Sequence, residues 1–110
     1  MKLPNPERAI VDMAKLRGYC LNANHRRGRH KARVFAAALG LTVENAELLR
    51  DALLTAAQTY DARPAETIEY GQLYMLDFQM NGPAGEALVR SGWIVRMAED
   101  FPRLTSCFVL

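Results

Sequence analysis

The spacing of apolar residues changes at about Pro64, and this change constrains the fold more than any other feature of the sequence. Before Pro64, apolar residues recur every three or four positions, which is typical of amphipathic helices. After Pro64, apolar and polar residues alternate, which is typical of strands with one buried face. A chain with helices first and hairpin-linked strands second is expected to have an α+β fold.

Three helices are predicted before Pro64, over residues 13–21, 29–39 and 42–60. Asp12 and Thr42 are suitable N-caps for the first and third helices, and Gly40 is suited to end the second. A polar loop over residues 22–28 separates the first two helices. Residues 9–11 are compatible with a short strand that precedes all three.

Three strands are predicted after Pro64, over residues 67–80, 86–97 and 103–110. The sequence NGPAG at residues 81–85 is a strong turn signal between the first two. In the first strand, Leu76, Phe78 and Met80 would share one face, with Asp77 opposite. We therefore expect about three helices packed on an antiparallel sheet of three to four strands, in a single domain over residues 1–110.

Composition and cysteine usage exclude several classes of protein. Half of the residues are apolar and about a quarter are charged, as in ordinary soluble proteins. No run approaches the roughly 18 apolar residues of a membrane span, and the N-terminus lacks the apolar core of a secretory signal, so we expect either a cytoplasmic location or a module delivered by some other machinery. Cys20 and Cys107 have no CxxC spacing, which argues against a zinc site. Buried thiols are expected, and a disulfide is also compatible with the sequence.

The net charge of +2 conceals an uneven distribution. Residues 1–35 hold nine basic and two acidic residues, a net charge of +7, whereas residues 36–88 hold two basic and eight acidic residues, a net charge of −6. The densest positive stretch is NHRRGRHKARVF, residues 24–35, which contains both histidines and no carboxylate. Such a division is compatible with a positive face for a polyanion and a negative face for a basic partner.

This basic stretch would occupy the start of the second helix, where unpaired N–H groups already favour an anion. A phosphate could be bound there by Arg27, Arg29, His30 and Lys31, with Gly28 allowing close approach of the backbone. Two other interpretations remain open. The charges could pair with Glu44 or Glu47 on a solvated surface, or they could bind nucleic acid by charge alone.

Residue types in this region also suit RNA cleavage through the 2′-OH, which requires a base, an acid and cations around the phosphorane. His25 is the candidate acid or base, and Lys31 the candidate cation. On the sheet, Arg103 and Thr105 could complete a phosphate pocket, and Trp93 could either lie in the core or stack on a base. Metal-ligand clusters and nucleotide-cofactor motifs are absent from the sequence, so neither a metal nor a cofactor is expected.

The segments KLRGYCLN, NHRRGRHKARVF, RSGWIV and PRLTSCFVL together resemble an uncharacterised bacterial domain family. Its motif, Leu-Asn-x-x-His-x-x-Gly-x-x-Lys-Ala with a closing Pro-Arg-Leu-x-Thr strand, extends over about residues 3–110. The motif positions are His25, Gly28, Lys31, Trp93, Arg103 and Thr105. Arg26 replaces the usual proline after the histidine, and CFVL replaces a Tyr-Pro ending.

The resemblance implies a setting near toxin–antitoxin-like loci, with a small protein partner such as an antitoxin. The layout of helices and sheet is also similar to the barnase, colicin and RelE-like ribonuclease toxins, which implies a fold analogy. The combined expectation is a metal-independent ribonuclease that acts on RNA with His25, Lys31 and Thr105 as catalytic residues. The alternatives are a non-catalytic protein-interaction module and a plain charge-driven nucleic-acid binder.

Overall fold

In the computed structural model, which describes residues 1–110, helices cover one face of a four-stranded antiparallel sheet. The helical elements are α1 (Met13–Lys15), a π-helical turn that continues it (Leu16–Cys20), α2 (Arg29–Leu39) and α3 (Ala46–Thr59). Single 3-10 turns lie at Pro6–Arg8 and Val43–Asn45. The predicted α+β fold with three helices followed by a sheet is confirmed.

The predicted capping residues have their expected roles. The Asp12 side chain accepts a hydrogen bond from the backbone N–H of Ala14 at 2.9 Å. Thr42 forms a capping box with Asn45, which starts the 3-10 turn that leads into α3. Gly40 ends α2 in the left-handed conformation, with φ of 72°. Local signals therefore fix where each helix begins or ends.

The sheet contains β1 (Arg63–Ile68), β2 (Gly71–Gly82), β3 (Gly85–Arg96) and β4 (Arg103–Val109), adjacent in that order. The prediction of one strand over residues 67–80 was wrong at its start, because a turn at residues 69–70 brings Ile68 opposite Gly71. The strand proposed at residues 9–11 is reduced to a single bridge between Ile10 and Arg103.

The core lies between the helices and the inner face of the sheet. β2 contributes Leu76, Phe78 and Met80, as the alternation predicted. The other large buried side chains include Leu16, Phe35, Leu39, Leu49, Leu53, Val89 and Trp93. α2 packs against β3 and the edge strand β4, so the basic start of α2 lies on the same side of the molecule as β4. None of the helices has both the length and the apolar character needed to cross a membrane.

Candidate functional site

A β-bulge in the edge strand β4 presents two adjacent hydroxyl groups. Gly92 of β3 lies opposite Ser106, whereas Trp93 lies opposite Leu104, so Thr105 is an extra residue without a partner in β3. Bulges of this kind redirect side chains and are frequent beside active sites. The Thr105 hydroxyl lies over Gly92, because a Cβ built on Gly92 would be 2.8 Å from Thr105 Oγ1.

Thr105 and Ser106 line two adjoining cavities, which we together call the β4 cleft. The helix-side pocket has a volume of about 510 Å³, and its other lining residues are Ala14, Lys15, Gly18 and Tyr19. The sheet-side pocket has a volume of about 290 Å³, and its other lining residues are Ala65, Glu66, Leu73, Tyr74, Met75, Arg90, Gly92, Trp93 and Phe108. The first pocket includes residues of the π-helical turn, a type of irregularity that is also frequent at functional sites.

The loop before α2 is anchored on Tyr19, a wall of the helix-side pocket. The ring of His25 meets the ring of Tyr19 edge to face, with centroids 4.7 Å apart. Gly28 lies so close that an added Cβ would be 2.8 Å from the Tyr19 carbonyl oxygen and 3.3 Å from the ring. Gly28 is thus required by this backbone packing, and the packing brings His25 to the border of the cleft.

His25 has a defined tautomer, which restricts its chemistry. Its Nδ1 accepts hydrogen bonds from the backbone N–H groups of Arg27 and Gly28, each at 3.0 Å. The neutral ring therefore carries its hydrogen on Nε2 and can donate a hydrogen bond there. A general base needs an unprotonated nitrogen facing the substrate, so this geometry favours a donating or positioning role for His25 over that of a base.

Lys31 also borders the β4 cleft. Its Nζ lies 4.4 Å from the ring centroid of Phe108, a residue of the sheet-side pocket, in cation–π geometry. The positive charges of Lys15 and Lys31 both lower the pKa of Cys20, so both ammonium groups lie in the electrostatic neighbourhood of one buried thiol. Thr105 therefore lines the cleft, and His25 and Lys31 each contact one of its lining residues.

The arginines and lysines at the start of α2 have no acidic partners. We call Arg26, Arg27, Arg29, Lys31 and Arg33 the basic cluster. All five are exposed, and none forms an ion pair within 4.0 Å. The interpretation that Glu44 and Glu47 neutralise them was wrong, because Glu47 lies 3.9 Å from Arg17 and Glu44 has no cationic partner. His30, also exposed, makes no side-chain hydrogen bond within the protein.

Two residues assigned to phosphate or base binding have structural contacts instead. Arg103 donates from Nε and from one terminal guanidinium nitrogen to the two carboxylate oxygens of Glu99, each at 2.8 Å, which raises the pKa of Arg103 and lowers that of Glu99. Arg103 lines neither pocket of the β4 cleft. Trp93 is fully buried, and its Nε1 donates to Ser91 Oγ at 2.9 Å, so its ring is packed in the core and not exposed for stacking.

The two cysteines are buried free thiols, as expected. A thiol–thiol hydrogen bond with Cys107 is the main cause that lowers the pKa of Cys20 to about 7. The same contact, with burial, raises the pKa of Cys107. Cys20 follows Tyr19 and Cys107 follows Ser106, so the pair lies directly behind two residues that line the cleft. No three His, Cys, Asp or Glu side chains are grouped as metal ligands would be.

Sequence reasoning missed several residues of the cleft, namely Lys15, Tyr19, Glu66, Met75 and Phe108. Lys15 and Tyr19 are four residues apart, so their helical spacing could have placed them on one face. The residues that β1 contributes to the sheet-side pocket could not be predicted, because the sequence analysis did not separate β1 from β2. The pairing of Arg90 with Asp77 was also missed: Arg90 donates two hydrogen bonds of 2.9 Å to Asp77, and these lower the pKa of Asp77.

Comparison with known proteins establishes the family. The family described as "Domain of unknown function (DUF6883)" matches residues 2–110, and the chain belongs to it. No curated protein matches the chain.

Among solved structures, a chain of a contact-dependent growth inhibition toxin–immunity protein complex from Klebsiella pneumoniae 342 is similar in fold. The match has a TM-score of 0.67 at 17% sequence identity, and it covers 92% of this chain and 99% of that one. At this identity the comparison supports the fold alone.

Proposed function

We propose that this protein binds RNA along the basic cluster and cleaves it in the β4 cleft without a metal ion. One observation carries the proposal: five exposed cations without acidic partners lie in and just after the loop that packs on Tyr19 of the cleft, and one of them, Lys31, contacts Phe108 of the cleft. The cleft itself contains a lysine, a tyrosine and two adjacent hydroxyls. Cations that lie close together repel each other, and none of these five gains an ion pair in return. Their clustering is better explained by a polyanion that neutralises them.

The residues suit the separate requirements of phosphoryl transfer. Lys15 and Lys31 would stabilise the negative charge that develops on the phosphorane. The hydroxyls of Thr105 and Ser106 would donate hydrogen bonds to its oxygens, and Arg27 and Arg29 would bind flanking phosphates. This assignment keeps Lys31 and Thr105 in the roles that the sequence suggested, and it gives no role to the side chains of Arg103 and Trp93.

Of the two histidines, His30 would take the proton of the attacking 2′-OH and His25 would only donate a hydrogen bond, while water would supply the proton to the leaving 5′-oxygen. His25 would donate a hydrogen bond from Nε2, because its Nδ1 is held by two backbone N–H groups. His30, next to Lys31, has both ring nitrogens free of internal hydrogen bonds and is the better candidate for the base. His25→Ala should then weaken the loop and binding, whereas His30→Ala should reduce turnover.

A second candidate function is binding of an acidic protein partner on the same surface. The basic cluster is complementary to such a partner, and the structural neighbour comes from a complex of a toxin with an immunity protein. A toxin-type ribonuclease covered by a small partner would unite both candidates. The partner would then be expected to mask the basic cluster and to raise the melting temperature.

The test is cleavage of labelled total tRNA and mRNA in EDTA by the wild type, Lys31→Ala and the control Lys2→Ala. Lys2 lies 3.7 Å from Asp61 and lines neither pocket of the cleft, so its variant removes the same charge elsewhere. We expect fragments that end in a 2′,3′-cyclic phosphate from the wild type and Lys2→Ala, and a loss of about 10²-fold or more in Lys31→Ala. Intact RNA with folded wild-type protein would reject the ribonuclease function.

A further inference from the structure

The sheet-side pocket differs in chemistry from the rest of the β4 cleft. Leu73, Met75 and Phe108 give it an apolar lining, and Gly92 leaves its floor without a side chain. Arg90 lines it too, but Arg90 is bound to Asp77 by two hydrogen bonds. A pocket with flat apolar surfaces and few free charges is suited to a planar ring rather than to a phosphate.

Glu66 is the only carboxylate that lines either pocket of the cleft. It is exposed, forms no ion pair within 4.0 Å, and its side chain makes no hydrogen bond within the protein. A carboxylate beside a phosphate-binding surface is unfavourable unless the ligand offers it N–H donors. Nucleobases carry such donors on their edges, and amino groups are recognised by Glu or Asp in this way.

The bulge connects this pocket to the proposed reaction centre. Thr105 and Ser106 line both pockets, so a nucleotide whose phosphate contacts the two hydroxyls would have its base beside the sheet-side pocket. The Phe108 ring is held by the Lys31 ammonium group 4.4 Å from its centroid, and it forms one wall of the pocket. A base could therefore enter while its phosphate stays near the lysines.

Resting on the proposed function, we propose that the sheet-side pocket binds the base next to the cleaved phosphate, with Glu66 selecting bases that present amino or imino N–H donors. Guanine should bind best, because it offers two adjacent donors on one edge and matches both carboxylate oxygens. Uracil should bind least, because its single N–H lies between two carbonyl oxygens that a carboxylate repels.

The experiment maps cleavage sites in an RNA of mixed sequence for the wild type, Glu66→Gln and the control Glu69→Gln, an exposed glutamate that lines neither pocket. We expect at least about tenfold preference for guanosine over uridine in the wild type and Glu69→Gln. Glu66→Gln should retain cleavage but lose most of this preference. Cleavage without base preference, or equal preference in Glu66→Gln, would overturn the inference and leave the ribonuclease function intact.

Binding separates the inference from the proposed function if the wild type does not cleave RNA. Calorimetry with guanosine and uridine 3′-monophosphates needs no turnover. Tighter binding of the guanosine nucleotide that is lost in Glu66→Gln would support the base pocket even without cleavage. Equal affinity for both nucleotides, or no binding of either, would overturn it. Gly92→Ala gives a second test, because its Cβ would meet the Thr105 hydroxyl at 2.8 Å and narrow the pocket. Binding of the guanosine nucleotide should therefore weaken in this variant, and unchanged binding would argue against the sheet-side pocket.

Discussion

The start of α2 and the β3–β4 loop (residues 97–102) both have arginines beside them, but only the arginines at the loop have acidic partners. At the loop, Arg103 of β4 is bound to Glu99 and Arg8 of the first 3-10 turn to Asp100, each at 2.8 Å, and both guanidinium groups lie over Phe101 at 4.9–5.2 Å. In the basic cluster, no cation has an acidic partner. Compensated charge holds a loop together, whereas uncompensated charge is available for a ligand.

The largest expected difference between the two regions is in catalysis. Lys15→Ala combined with Lys31→Ala should reduce cleavage of RNA by about 10²-fold or more, because it removes both lysines proposed to stabilise the phosphorane. Arg103→Ala should retain turnover within a few-fold, because Arg103 lines neither pocket. Single-turnover rates at saturating protein measure both variants. A loss of turnover in Arg103→Ala as large as in the lysine variant would mean that the ion-paired Arg103 contributes to cleavage as much as the lysines do.

For the melting temperature we expect the reverse: a moderate decrease when a paired arginine is removed, and almost none when an arginine of the basic cluster is removed. Arg103→Ala should lower the melting temperature at neutral pH by a few degrees, and Arg27→Ala should leave it nearly unchanged. Because Arg103 lowers the pKa of Glu99 in the folded protein, this ion pair stabilises the fold above the ordinary glutamate pKa. The stabilisation by this ion pair is lost as the pH falls through the lowered pKa of Glu99.

Thermal unfolding of Arg103→Ala and wild type from neutral to acidic pH checks the sign of this linkage. The two melting temperatures should converge as the pH decreases. A difference that persists or grows in acid would show that Arg103 stabilises the fold through its packing on Phe101 and not through Glu99.

The smallest expected effect concerns the Cys20 thiol. Cys107→Ala should raise the pKa of Cys20 above about 7, because it removes the hydrogen bond that is the main cause of the lowering. Lys31→Ala should raise it by less, and Arg103→Ala should not change it. Ultraviolet absorbance of the thiolate during a pH titration measures all three. An unchanged pKa in Lys31→Ala would mean that this ammonium group lies farther from the cleft than the structure places it.

Local patterns in the sequence predicted most of the fold but only part of the site. The helix caps at Asp12 and Thr42 and the inward face of β2 follow from short-range chemistry, and they were found. The turn that separates β1 from β2 has no strong signal such as Asn-Gly, so it was missed. The extra residue at Thr105 depends on the pairing of β4 with β3, which no local pattern in β4 reveals.

Prediction of the site failed where it required knowing which charged side chains are paired in the folded protein. Arg103 and Arg27 are equally basic in the sequence, but only the structure shows that Glu99 neutralises the first. The two backbone hydrogen bonds to His25 Nδ1 likewise arise from the three-dimensional form of the loop. The residue types of Lys31 and Thr105 were sufficient to predict them as site residues. The shape of the cleft could not be predicted from the sequence, because it is formed by elements that lie far apart in the chain.

The salt dependence of RNA affinity shows whether RNA binds to the basic cluster and not to the arginines that are paired with carboxylates at the β3–β4 loop. Two variants with equal loss of charge are compared with the wild type on a single-stranded RNA in EDTA: Arg27→Ala/Arg29→Ala, and Arg8→Ala/Arg103→Ala. The first should reduce the slope of log affinity against log salt by about 1.4, and the second should leave it nearly unchanged. Equal slopes in the two variants would mean that the basic cluster is not the surface that binds RNA.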